Sequence, residues 1–203
     1  MPYLYAAAVE SHATGVPVLR PMVLEYPEDL TAQMLDRQYM LGQGLLIAPV
    51  LASEGQVDYY LPEGKWTNLL SEKAAMGGKW QKETHGFLSL PIMVRENTVL
   101  PLGSCDTKPD YDFLDGVTLH LYQVQDGAGI ETVIPDLQGK PAATFVTTRK
   151  GNQFTVETDS KKPYTVAVHG VVNVVGDCAP ISRENTGVTY YEGKPRLFFM
   201  AED

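Results

Sequence analysis

Four histidines (His12, His85, His120 and His169) and two cysteines (Cys105 and Cys178) are the side chains here best suited to hold a metal or attack a carbonyl. No two of the histidines stand at the i, i+3 or i, i+4 spacing of a helical metal site. His120 falls within an alternating segment, Val117–Val124, as an exposed face residue or a satisfied neighbour. The cysteines form neither a CxxC pair nor a dense framework, and nothing places a base and an orienting group beside either. A reduced pair is favoured over a disulfide, which points to a cytoplasmic setting. No catalytic, cofactor or metal residue is assigned, and no cofactor is expected.

Acidic clusters are the next candidates. Asp110, Asp112 and Asp115 precede Gly116, and oxygen ligands at such spacing suit calcium. Tyr111, Phe113 and Leu114 interrupt them and no closing glutamate follows, so a solvated turn is favoured. Glu25, Glu28 and Asp29 invite a general acid/base reading, with a structural role preferred. Tyr59, Tyr60, Trp66 and Trp80 offer aromatic faces for sugars. Tyr60 and Trp66 fit core strand positions, which leaves Trp80, between Lys79 and Gln81-Lys82, as the one substrate-binding candidate, and a weak one. Tyr190 and Tyr191, adjacent in a strand, place one ring out and one in.

The elements that must position these groups are mostly strands. Residues 3–14 predict a helix, rich in alanine and stopped by Gly15 and Pro17. An apolar run over Val18–Leu24 predicts a strand, despite the ladder donor that Pro21 lacks. Beyond GLLIAPVL the texture becomes short strands and turns: Val57–Leu61, the Pro62-Glu63-Gly64 turn, Trp66, the Gly77-Gly78 break and Lys79–Thr84. Ile92–Arg95 and Val99–Leu102 are expected to complete a small antiparallel sheet. Further strands are predicted at Val117–Val124, Ile130–Ile134, Ala142–Thr148, Phe154–Thr158, Tyr164–Val168, Val171–Val175, Val188–Tyr191 and Leu197–Met200. Asp126-Gly127 reads as a hairpin turn. Strands at roughly ten-residue spacing suggest a sandwich.

The chain has 203 residues, 44% of them hydrophobic, enough to bury a core. No run approaches the roughly 18 apolar residues of a membrane span, and the first residues do not read as a secretory leader. A net charge of −9 argues against nucleic-acid and anionic-membrane partners.

Three stretches in order, PYLYAAAVESHATGVPVLRPMVLEYPED, DRQYMLGQGLLIAPVL and YYLPEGKWTNLL, resemble the C-terminal third of glycoside hydrolase family 31. With their linking segments they cover residues 2 to about 103. Further on, TKPDYDFLDGVTLHLYQVQDG is similar to the distal β-domain of the family's bacterial α-xylosidases, more than to that of its α-glucosidases.

The resemblance implies a mainly β fold. Two small antiparallel β-sandwich domains, 44–103 and 104–203, would follow a helix-strand remnant of a (β/α)8 barrel over 1–43. It implies a parent enzyme that hydrolyses terminal α-xylosyl or α-glucosyl residues with retention, through two aspartates about 5 Å apart. In the family both lie upstream of the motif at Pro2–His12, so this piece alone is expected to be supporting and inactive. Its partners would be the rest of the barrel, with oligosaccharide bound by the parent only, and self-association through an apolar face meant for the barrel. Arg20 would be exposed on a frayed strand, or turned inward onto a carboxylate such as Glu25 or Asp36. The alternative is a stand-alone β-sandwich carbohydrate-binding module, which would begin near residue 44.

Overall fold

The computed structural model describes residues 1–170, 174–176, 180–183 and 188–201, without the side chains of 174–176, 183 and 201. In chain order the elements are α1 (Pro2–Thr14), β1 (Leu19–Pro21), α2 (Met22–Glu25), a 3-10 turn at Ala32–Met34, β2 (Tyr39–Leu41), β3 (Leu45–Ile47), β4 (Gln56–Leu61), β5 (Lys65–Asn68), β6 (Ala74–Met76), β7 (Lys79–Thr84), β8 (Ile92–Arg95) and β9 (Thr98–Leu102). Then follow β10 (Val117–Tyr122), β11 (Gly129–Pro135), β12 (Pro141–Lys150), β13 (Gln153–Thr158), β14 (Tyr164–His169), β15 (Val174–Gly176), β16 (Ser182–Arg183), β17 (Thr189–Glu192) and β18 (Arg196–Ala201). They form two compact units: Gly15–Glu96, called proximal, and Met1–Thr14 with Asn97–Asp203, called distal.

In the proximal unit a six-stranded sheet, ordered β1-β2-β3-β8-β5-β6, accompanies the antiparallel pair β4–β7. The apolar run at Val18–Leu24 does not form one strand. Pro21 ends β1 after three residues, and its extended backbone (φ −60°, ψ 147°) leads into the short α2. The strand pairs antiparallel with β2, Leu19 opposite Leu41, at the sheet's edge. Arg20 is 3% exposed. One guanidinium nitrogen, Nη1, donates to Glu25 Oε1 at 2.7 Å, and its Nε donates to Pro17 O at 3.2 Å, so the inward reading holds.

The proximal core gathers Met22, Met40, Leu46, Tyr59, Leu61 and Trp66. The Trp66 indole donates to Pro62 O at 2.9 Å. A Cβ on Gly77 would lie 1.8 Å from that same oxygen, which explains the Gly77-Gly78 break: only glycine lets the chain pass there. The buried Gln38 amide imitates a strand, donating to Tyr60 O at 2.8 Å and accepting from Tyr60 N at 2.7 Å.

The distal unit is a sandwich of two five-stranded sheets, β16-β17-β14-β10-β9 and β11-β12-β13-β18-β15. Alternation along β10 turns Val117, Leu119 and Leu121 inward to meet Phe145, Phe154 and Phe199. Three expectations need correction. β9 does not complete the proximal sheet; it pairs with β10, Leu100 opposite His120. Asn97, in the left-handed region (φ 55°), redirects the chain, and its Oδ1 accepts from Gln125 N at 2.7 Å. Asp126-Gly127 is no hairpin turn, because β10 and β11 lie in different sheets. It docks on the turn after β12, with Gly151 N donating to Asp126 Oδ1 at 2.6 Å and Gly127 N to Arg149 O at 3.0 Å. Finally, the sandwich is not wholly antiparallel: β10 and β14 run parallel. Parallel neighbours need a long crossover, and β11–β13 supply it from the opposite sheet.

The helix α1 packs on β9 and β11 of this unit. Tyr5 sits 5.2 Å from the Phe113 ring and donates its hydroxyl hydrogen to Leu137 O at 2.9 Å. Gly15 follows at φ 79°, as a helix stop requires. Other predicted strands appear within a few residues of their expected bounds. Residues 171–173 of the predicted Val171–Val175 strand lie outside the described residues, as does Cys178.

Removing Glu25 takes from the buried Arg20 the carboxylate that its Nη1 donates to. Glu25→Ala is expected to cost about 3 kcal/mol in urea denaturation, and the double variant R20M/E25L to recover most of it.

Candidate functional site

The most organised polar array of the proximal unit grows from β7. Glu83 and His85 are two residues apart in an extended segment and so share a face. His85 Nε2 lies 2.8 Å from Glu83 Oε2, and Nδ1 lies 3.0 Å from Ser89 Oγ. The second Glu83 oxygen, Oε1, accepts the Tyr59 hydroxyl hydrogen at 2.7 Å from the paired strand β4. Burial, then this bond to the Glu83 carboxylate, pushes the Tyr59 phenol upward, so it stays a donor. The His85 and Glu83 side chains are 12% and 36% exposed. All four residues line a cavity of about 410 Å3 that also reaches β5 and β6.

Serine, histidine and carboxylate in sequence resemble a nucleophile, base and orienting group. Acyl transfer also needs donors for an oxyanion, often the nucleophile's own N–H. Here Ser89 N donates to Gly86 O at 3.3 Å and His85 N to Gly55 O at 2.9 Å. With those donors committed, the array is better built as a fixed polar wall. The i, i+2 spacing of Glu83 and His85 on a strand was a legible signal for it; the involvement of Ser89 and Tyr59 was not.

Residues singled out from the sequence fall elsewhere. Glu25 holds Arg20. Asp29 Oδ1 accepts from Thr31 N at 2.9 Å and Ala32 N at 3.3 Å, starting the 3-10 turn, while Glu28 is exposed. The three do not converge on a shared site. Asp112 caps Leu114 N at 3.1 Å and pairs with Lys162, whose ammonium holds the carboxyl below its ordinary range. Trp66 and Tyr60 are buried, as expected of core residues, and so is Tyr59; Trp80 is 57% exposed, its ring 5.8 Å from Tyr60. Tyr191 is buried and Tyr190 partly exposed. Cys105 is a free thiol whose pKa is lowered by hydrogen bonds to Thr107.

In the distal unit the parallel pairing joins two histidines 49 positions apart. His120 Nδ1 and His169 Nε2 share a hydrogen bond at 2.8 Å, and the Tyr122 ring stacks on His169 at 4.0 Å. Burial, then the neighbouring His169, pushes His120 down to about 4. His120 is therefore a satisfied neighbour in the sheet. No local spacing in the sequence could have shown its partner.

Two family models match in succession. The glycosyl hydrolase family 31 C-terminal domain covers residues 15–100, and the domain described as "Alpha-xylosidase YicI, C-terminal domain" covers residues 112–195. The chain belongs to glycoside hydrolase family 31. Curated relatives of this family 31 chain include an alpha-xylosidase of Emericella nidulans, 38% identical over 77% of the chain. Another is the alpha-xylosidase XylQ of Lactiplantibacillus pentosus, 35% identical over 78%. The chain spans 21% of the length of each. An alpha-glucosidase of Bacillus thermoamyloliquefaciens is 30% identical over 67% of the chain and 17% of its own length. Among solved structures, a cycloalternan-forming enzyme from Listeria monocytogenes matches with a TM-score of 0.83 at 22% identity, over 98% of this chain and 22% of its own. A Flavobacterium johnsoniae family 31 dextranase matches with a TM-score of 0.78 at 18% identity, over 100% of this chain and 31% of its own. These structural matches show a shared, mainly β fold.

In this family 31 region His120 makes a titration prediction. His120 lies near 4 when folded against 6.5 ordinarily, so as pH falls the unfolded chain takes up the proton first. Its contribution to stability is complete above pH 6.5 and is lost between there and about pH 4, at most about 3 kcal/mol. His120→Gln should flatten this part of the profile, read as urea midpoints at pH 7 and pH 5.

Proposed function

We propose that the chain is a supporting C-terminal portion of a retaining α-glycosidase, one that removes terminal α-xylosyl or α-glucosyl residues from oligosaccharides, and that it holds no catalytic carboxylate pair of its own. The observation that carries this reading is the succession of two matches, a family 31 C-terminal domain and then an α-xylosidase C-terminal domain. The relatives named alpha-xylosidase favour the xyloside branch. The first family match begins at residue 15, well upstream of 44, where a stand-alone sugar-binding module would begin. Glu25, Asp29 and Asp112 already hold an arginine, a turn and a lysine, which supports a structural role for the acidic groups.

In this reading residues 1–43 are the C-terminal remnant of the barrel. The supporting β-domains are the proximal sheet, which takes in β1 and β2 from that remnant, and the distal sandwich, which begins at Asn97 and not at 104. Trp80 is an open aromatic face for a sugar. The parent works without a cofactor in the cytoplasm, and binds neither nucleic acid nor membrane. Leu30 (78% exposed) and Met34 (83%) lie in the N-terminal stretch and suit a surface meant for a neighbour. Without that neighbour they favour self-association.

The purified chain incubated with an aryl α-xyloside and an aryl α-glucoside should release no phenol. Turnover of either would overturn the supporting role, and loss of that turnover on Glu25→Ala or Asp29→Ala would locate the carboxylates responsible.

A further inference from the structure

We propose that the cavity beside Glu83, His85 and Ser89 in the proximal unit is a binding site for a single neutral pyranose. Its volume of about 410 Å3 falls within the range of about 300–1,000 Å3 typical of small-ligand pockets. Its lining mixes polar side chains, among them Gln81, Glu83, His85 and Ser89, with apolar ones such as Leu70 and Met93. A sugar ring combines the same two chemistries, with hydroxyls around its edge and C–H groups on its faces.

The polar wall is fixed before any ligand arrives. Tyr59 and His85 grip the two Glu83 oxygens, so the carboxylate cannot rotate away, and Ser89 is held by His85. Preorganised groups cost little ordering entropy on binding. Asn68, also in the lining, accepts at Oδ1 from Leu70 N at 3.0 Å and Ser71 N at 2.9 Å, which sets the amide and leaves its NH2 group to donate. Donors from Asn68, Gln81 and Lys73 therefore stand with acceptors from Glu83, Ser89 and Gln81 around one space. Each sugar hydroxyl both donates and accepts, and this mixture satisfies it. One cationic and one anionic side chain, Lys73 and Glu83, line the cavity, and this balance selects against strongly charged ligands.

The test is saturation-transfer NMR of the whole chain with xylose and with glucose as probes, with titration for affinity. Binding in the millimolar range is expected, weakened at least fivefold by Gln81→Ala and by Glu83→Gln. Lys82→Ala, next to Gln81 on β7 but pointing to the other face, should leave it unchanged. Each variant's thermal unfolding midpoint is measured alongside, so that a folding defect is not mistaken for a lost contact. The preferred probe identifies the ring as pentose or hexose. Absence of saturation transfer from both sugars, or transfer untouched by both cavity variants, would overturn the proposal. The aryl-glycoside assay is indifferent to either result, because it reads turnover and not occupancy.

Discussion

A charged arginine that is 3% exposed has to be met where it lies, and the proximal unit is arranged around that requirement for Arg20. Pro21 stops β1 directly after it, and α2 turns the chain back within five residues to present Glu25. The ion pair fixes how β1 enters the sheet, and β1 on β2 completes the edge of a six-strand array. A buried pair of this kind need not add much net stability, since desolvation offsets most of the attraction. What it contributes is register. A one-residue slip of β1 would turn Arg20 outward and Leu19, now 56% exposed, inward.

The distal unit rests on a different constraint, the parallel neighbours β10 and β14. Parallel pairing cannot be closed by a tight turn, so the chain must cross to the second sheet and return. The crossover places β11, β12 and β13 opposite β10, and the aromatic core of Phe145, Phe154, Tyr191 and Phe199 fills the space between the sheets. It also sets His120 beside His169, and their shared hydrogen bond keeps both polar rings satisfied in a half-buried face.

Much of this was legible in the residues. Alternation placed β10, and glycine and proline punctuation placed the breaks at Gly15 and at Gly77-Gly78, because these signals act over a few neighbouring positions. Longer-range facts were not. Asp126-Gly127 has the composition of a hairpin turn, but its partners come from the far end of β12, and no local pattern encodes that docking. Val99–Leu102 looks like one more strand of the proximal sheet until Asn97 redirects it. The polar array was half visible: Glu83 and His85 alternate correctly, whereas Tyr59 reaches them only through the β4–β7 pairing. Arg20 is the instructive case, since an arginine in an apolar run signals either an exposed edge or a buried ion pair, and only the turn at Pro21 decides between them.

A family 31 C-terminal region therefore presents a proximal sheet that takes in residues from Leu19 onward and a distal sandwich that takes in the helix before them. The central claim is that the segment after Gly15 is an integral strand of the proximal unit. Native-state hydrogen exchange on the 203-residue chain tests it most directly. The account predicts that the amides joining β1 to β2 exchange as slowly as those joining β3 to β8, and lose that protection in Glu25→Ala. Immediate exchange of the β1–β2 amides, with β3 and β8 still protected, would contradict it.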